Sequence, residues 1–136
     1  MQYVELHARS AFSFLEGASL PEALMARAAE LNMPAMALLD RNGLYGAPRF
    51  HTTAKKLGLR AHIGAEIGVA DAGQRLQPPA HLPHQFLAEP ARFPVLATSR
   101  TGYQNLCRLI TSYKLRAGKK AEGAALFREV EEYHES

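Results

Sequence analysis

Apolar and polar positions alternate over Tyr3–His7, which predicts a first β-strand. A polar loop with Ser10, Ser13 and Gly17 follows. Ser19 and Glu22 flank Pro21 at capping-box spacing, so a helix is expected to start there. Leu20, Leu24, Ala28 and Leu31 recur at helical spacing and carry that helix to about Asn32, where Pro34 ends it. Ala35–Leu39 is a short apolar run, read as a buried parallel strand that stops at Asp40. Asn42-Gly43 marks a turn. A second helix is expected from about Ala47 to Leu57, with Phe50, Ala54 and Leu57 inward and Gly58 as its cap. Leu59–Gly64 reads as a third strand, with Glu66 just past it and Ile67–Ala70 extending it or pairing nearby. Residues 72–92 hold Pro78, Pro79, Pro83 and Pro90 and read as a long irregular loop. Phe93–Thr98 is a further strand. A helix from Thr101 places Tyr103, Leu106, Ile110 and Tyr113 on one face. A break at Gly118–Gly123 precedes a last short helix from about Ala124.

The order β-α-β-α-β, then β-α, argues for an α/β fold with a parallel sheet and right-handed crossovers. Such folds gather function at the C-terminal ends of strands. His7, Asp40 and Glu66 fall there. The expected division is one domain over residues 1–117, followed by a linker and short helix over 118–136.

Composition narrows the class. Hydrophobic residues make up 47% of the 136, enough for a packed core. A single cysteine, Cys107, cannot form an intrachain disulfide, which fits a reducing cytoplasm. Residues 1–18 lack the pattern of a signal peptide, and no apolar run approaches the roughly 20 residues of a membrane span. Net charge is only +3, but its distribution is uneven. Six basic residues and no acidic one lie between Arg100 and Lys120. Arg108, Lys114, Arg116, Lys119 and Lys120 are candidate nucleic-acid contacts, or else a solvated helix face. His51 and His62 read as helix-surface and strand residues; His81 and His84 fall in the proline-rich loop.

Four stretches carry a resemblance. LHARSAFSFLEGAS, Leu6–Ser19, resembles the first motif of PHP (polymerase and histidinol phosphatase) domains, His-x-His-Ser followed by a serine and an acidic residue with glycine. ALLDRNGLYG, Ala37–Gly46, resembles the second, Thr-Asp-His with a glycine-rich turn. HIGAEI, His62–Ile67, resembles the third, Gly-x-Glu. RTGYQNLCRLITSYKLRA, Arg100–Ala117, is similar to the segment after the early strands in bacterial family C polymerase α subunits, closest to the error-prone, damage-inducible branch.

The resemblance implies the first half of a distorted (β/α)7 barrel. Complete barrels of this general type take roughly 250 residues, so an incomplete sheet with exposed edges is expected. Intact relatives hold divalent zinc or manganese and hydrolyse phosphoesters, with His and carboxylate ligands converging on one cavity. By position, His7, Glu16, Asp40 and Glu66 correspond to that ligand set. Two seats have changed: Arg9 stands for the second histidine of the first motif, and Arg41 for the histidine of the second. A protonated guanidinium has no lone pair to offer a metal, so no cofactor is expected in this chain. Arg9 and Arg41 are expected instead to pair with Glu16, Asp40 or Glu66.

The function the resemblance implies is that of an N-terminal segment of an error-prone DNA polymerase. Its magnesium-dependent nucleotidyl transfer, in replication and damage repair, would belong to a palm domain this chain lacks. The implied partners are the remainder of the polymerase chain, DNA and other replication or mutasome proteins. Two alternatives stay open: a stand-alone metal-dependent phosphoesterase, and a binding module working through Arg100–Lys120.

Overall fold

The computed structural model describes residues 3–70, 90–118 and 123–134. The elements run β1 (Glu5–Ala8), α1 (Pro21–Glu30), β2 (Ala35–Arg41), α2 (Ala47–Leu57), β3 (Arg60–Ala70), β4 (Ala91–Leu96), α3 (Arg100–Ala117), β5 (Ala125–Leu126) and α4 (Phe127–Tyr133). The fold is α/β, built on a parallel-dominated sheet with flanking helices. Strand order is β1-β2-β3-β4, with β5 also pairing β3. The β1–β2, β2–β3 and β3–β5 pairs are parallel; β3–β4 is antiparallel. Most of the proline-rich stretch, with His81 and His84, lies outside the described residues.

Side-chain alternation along β3 divides the molecule. Ala61 and Ile63 pack with Met25, Ala28, Met36, Leu38, Phe50 and Ala54, the cluster that seats α1 and α2. Ala65, Ile67 and Val69 have the same parity and pack with Leu106, Leu109, Ile110 and Tyr113 of α3 and with Ala125. Every second residue of a strand faces one side, so both clusters share one face of the sheet. The opposite face carries Arg41 and Glu66, which are register partners on β2 and β3. Arg92 and Pro94 on β4 join them, because Glu66 pairs with Pro94.

Several expectations change here. No Ser19 cap forms: the N-cap of α1 is Leu20, without a side-chain bond. The inward residues of α1 are Pro21, Met25 and Ala28, while Leu20 and Leu31 are about half exposed. Ala28 belongs to both the expected and the observed stripe, and Leu24 packs against the same cluster from its edge. Leu57 is likewise exposed, because α2 ends there and turns away at Gly58, whose φ is 71°. The third strand is one continuous run, Arg60–Ala70. β2 continues through Asp40 to Arg41, so neither Asp40 nor Glu66 lies beyond its strand. β4 runs antiparallel rather than parallel, a direction that six residues of alternation cannot encode. α3 starts one residue earlier than expected, at Arg100, and Ser99 caps it by accepting from Gly102 N at 3.0 Å.

α3 is tied to the sheet by a buried polar node. Tyr113 Oη donates to Asn42 Oδ1 at 2.9 Å, and Gly68 N donates to the same oxygen at 3.1 Å. Asn42 N donates to Glu66 O at 2.9 Å, which locks the end of β2 onto β3. At Gly64 on β3, an added Cβ would lie 2.1 Å from the Val95 carbonyl oxygen of β4. Gly64→Ala is therefore expected to push β4 off the sheet and lower unfolding stability by about 3 kcal/mol, at the upper end for overpacking. Urea denaturation of the two proteins would measure it.

Candidate functional site: an arginine–glutamate cluster

Glu66 projects from the middle of β3 with its side chain 4% exposed. A buried carboxylate needs compensating charge and donors. His7 Nε2 lies 2.7 Å from Glu66 Oε2, and Arg9 Nη2 donates to the same oxygen at 2.5 Å. The second oxygen, Oε1, is buried without a hydrogen bond, 3.5 Å from Arg92 Nη1. Arg9 bridges onward, its Nη1 donating to Glu16 Oε2 at 2.8 Å. Glu16 Oε1 accepts from Arg41 Nη1 at 2.5 Å and from Arg92 Nη1 at 3.0 Å. Three guanidinium groups and an imidazole thus gather around two carboxylates, drawn from β1, the loop after it, β2, β3 and β4.

Burial raises the pKa of Glu66, but the hydrogen bonds from Arg9 and His7 outweigh it and hold the carboxyl below its ordinary range. Glu16 behaves alike: burial opposes ionisation, and Arg41, then Arg92 and Arg9, lower its pKa overall. Both groups are ionised in the fold.

Asp40 occupies a separate network. Its register partner is Ala65, on the helix-packed face. It is 2% exposed. Oδ1 accepts from Ser10 N at 2.7 Å and from Ser13 Oγ at 2.8 Å; Oδ2 accepts from Ser10 Oγ at 2.7 Å. Ser13 Oγ also accepts from Arg41 N at 2.9 Å. Asp40 therefore pins the loop that carries Arg9 at one end and Glu16 at the other.

Of the residues singled out from sequence, the fold brings together His7, Arg9, Glu16, Arg41 and Glu66, and sets Asp40 on the other side of β2. Sequence reasoning missed Arg92, Ser10 and Ser13 as members of these networks. The Ser-x-x-Ser spacing over 10–13 is a signal for the two serines; nothing in the pattern marks Arg92. Among the described residues, no group of three or more His, Cys, Asp or Glu is arranged to hold a metal ion. In the basic stretch, Arg108 is exposed. Lys114 Nζ donates to Tyr45 Oη at 2.8 Å. Arg116 is engaged by Glu129 and the Ala124 carbonyl. Lys119 and Lys120 lie outside the described residues. No helix among the described residues is long and apolar enough to cross a membrane.

A sheet that gathers charged residues from successive strands onto one face, with helices on the other, places this chain in a fold class shared with hydrolases of known structure. It superimposes on a protein from Bifidobacterium adolescentis described as a metal-dependent phosphoesterase, with a TM-score of 0.54 and 18% identity, covering 85% of this chain and 35% of that one. It also matches an amidohydrolase from Chromobacterium violaceum with a TM-score of 0.57 and 19% identity, covering 82% of this chain and 33% of that one. The family model for the PHP domain matches residues 5–136, and the chain belongs to that family. Among curated proteins it is 50% identical over 110 residues to an error-prone DNA polymerase of Anaeromyxobacter sp. (strain K), covering 81% of this chain and 9% of that protein. An error-prone DNA polymerase of Mycobacterium tuberculosis is 41% identical over 120 residues, covering 88% of this chain and 10% of that protein. The chain thus spans about a tenth of the length of these relatives.

Asp40→Ala would strand three buried donors around a lost carboxylate and is expected to cost about 3–5 kcal/mol; chemical denaturation checks it. Glu16 and Glu66 have folded pKa values below their ordinary 4.5, so the unfolded chain binds more protons in acid. Their contribution is complete above that value and is lost as pH falls through the depressed folded values. Thermal midpoints taken from pH 7 down to pH 3 should fall on the acid side, less steeply for the Glu16→Gln, Glu66→Gln double variant than for the parent.

Proposed function

We propose that this chain is the N-terminal PHP segment of an error-prone DNA polymerase, and that its former metal centre is an arginine–carboxylate cluster with a structural role. DNA synthesis, in replication, damage tolerance and repair, then belongs to the full-length protein in the cytoplasm, through magnesium held elsewhere in the polymerase. The family match and the similarity to error-prone polymerases support the first part.

One observation carries the second part. Arg9 and Arg41 stand where the PHP motifs place histidines, and each guanidinium is bonded to Glu16, with Arg9 also on Glu66. These residues do not fit a polynuclear metal centre. A guanidinium keeps its proton and has no lone pair to donate. It also supplies the positive charge that a carboxylate would otherwise draw from a cation. A zinc or manganese ion would have to displace at least two guanidinium groups to reach Glu16 and Glu66.

The competing reading is a metal-dependent phosphoesterase, the activity named for one structural neighbour; at 18% identity that likeness shows the fold alone. Metal analysis of the purified protein, with turnover of a generic phosphomonoester, separates the two. Substoichiometric zinc and manganese, and no chelator-sensitive turnover, are expected. Stoichiometric metal with turnover that chelation abolishes would reverse the assignment. Arg9→His with Arg41→His should raise zinc affinity relative to the parent, measured by titration calorimetry.

A further inference from the structure

The turn after β2 carries a reactive dipeptide, Asn42-Gly43. Glycine has no side chain to shield its backbone nitrogen from the residue before it. Once deprotonated, that nitrogen attacks the asparagine Cγ. The side-chain nitrogen leaves as ammonia, and a succinimide ring closes. Water then opens the ring at either carbonyl. One route gives aspartate; the other gives isoaspartate, whose main chain runs through the former side-chain carboxyl carbon. Asparagine is accordingly counted among the thermolabile residues.

The fold favours both members and holds both in place. Asn42 sits at φ 49°, a left-handed conformation that asparagine tolerates better than most residues. It is 7% exposed. Its carboxamide oxygen accepts from Tyr113 Oη at 2.9 Å and from Gly68 N at 3.1 Å, and its own N donates to Glu66 O at 2.9 Å. Tyr45 stands against Gly43, where a Cβ would lie 2.4 Å from the Tyr45 ring. Lys114 fixes that ring: its Nζ donates to Tyr45 Oη at 2.8 Å and lies 5.0 Å from the ring centre. Closing a succinimide moves the carboxamide and turns the Asn42–Gly43 peptide. Consecutive residues of α3, Tyr113 and Lys114, therefore clamp the two halves of the dipeptide against that motion.

We infer that Asn42 is a deamidation site latched by α3: it converts when α3 lifts from the sheet, and the converted residue no longer offers α3 its seat. Undocking of a helix is a local opening, reached without global unfolding. Isoaspartate lengthens the main chain by a methylene and draws the former side-chain carbonyl into it, away from Tyr113 and Gly68. Aspartate keeps an acceptor there, but it places a negative charge in a buried site whose two donors, Tyr113 Oη and Gly68 N, are neutral. Either product makes the opening irreversible.

The purified protein is incubated at mildly alkaline pH, digested, and mapped by mass spectrometry for the mass gain at Asn42, with enzymatic labelling of isoaspartate. Slow conversion is expected in the native protein and fast conversion in urea. Equal rates in the two would overturn the latch, and no conversion in urea would remove the reactive site itself. Tyr113→Phe keeps the buried ring and removes only its hydroxyl; Lys114→Met removes the tie to Tyr45. Each should convert about fivefold faster than the parent, the ratio that one net hydrogen bond sets on an opening equilibrium. Rates unchanged in both variants would overturn the role of α3. Converted protein carries an added negative charge and is separated by ion exchange. Amides of Arg100–Ala117 should exchange with deuterium faster in it than in unconverted protein; equal protection would overturn the loss of the seat.

Discussion

A carboxylate buried in the middle of a β-strand sets the terms for this fold. Glu66 cannot sit 4% exposed on β3 unless positive charge and donors come to it. His7, Arg9 and Arg92 do so from three other segments, and Glu16 and Arg41 complete the circuit. Exposed ion pairs contribute little one at a time, but a partly buried network in which each carboxylate has several partners is different. Removing Glu16 or Glu66 leaves three guanidinium groups facing a single carboxylate. The cluster's ion pairs tie β1, the loop after it, β2, β3 and β4 to one another.

Asp40 is the mechanical counterpart on the opposite face. Its three accepted hydrogen bonds fix the path of residues 10–13. That path determines where Arg9 and Glu16 emerge. The two networks meet at Arg41, whose N donates to Ser13 Oγ while its Nη1 reaches Glu16. One residue, Arg41, so joins the helix-side anchor to the sheet-side cluster.

Much of this was legible in the sequence where a local rule governs. α2 has the bounds its pattern predicts, from Ala47 to the left-handed Gly58, because an apolar stripe and a C-terminal glycine act locally. The convergence of His7 and Glu66 followed from strand order and motif position. What stayed hidden depends on pairing across distance. The direction of β4 and the existence of β5, only two residues long, are decided by partners and not by periodicity. Asp40 and Arg41 are neighbours in sequence, yet the pleat sends them to opposite faces, and only the register with Ala65 and Glu66 says which is which. Leu20 and Leu31 fitted a helical stripe that docking did not use.

Replacing a metal ligand with arginine is conservative in electrostatics and radical in chemistry. An imidazole lends a lone pair to a cation that then satisfies the carboxylates; a guanidinium satisfies them directly, with planar donors at fixed spacing. A guanidinium, unlike a bound metal ion, is no Lewis acid and activates no water. Under the proposed reading, the two substitutions are mutually supporting. Arg9 and Arg41 each take one oxygen of Glu16, at 2.8 Å and 2.5 Å, so a single carboxylate buffers both new charges. Arg92 Nη1 also donates to Oε1, at 3.0 Å, so Glu16 gathers three guanidinium groups. Under that reading, the shared glutamate ties both arginines to one carboxylate.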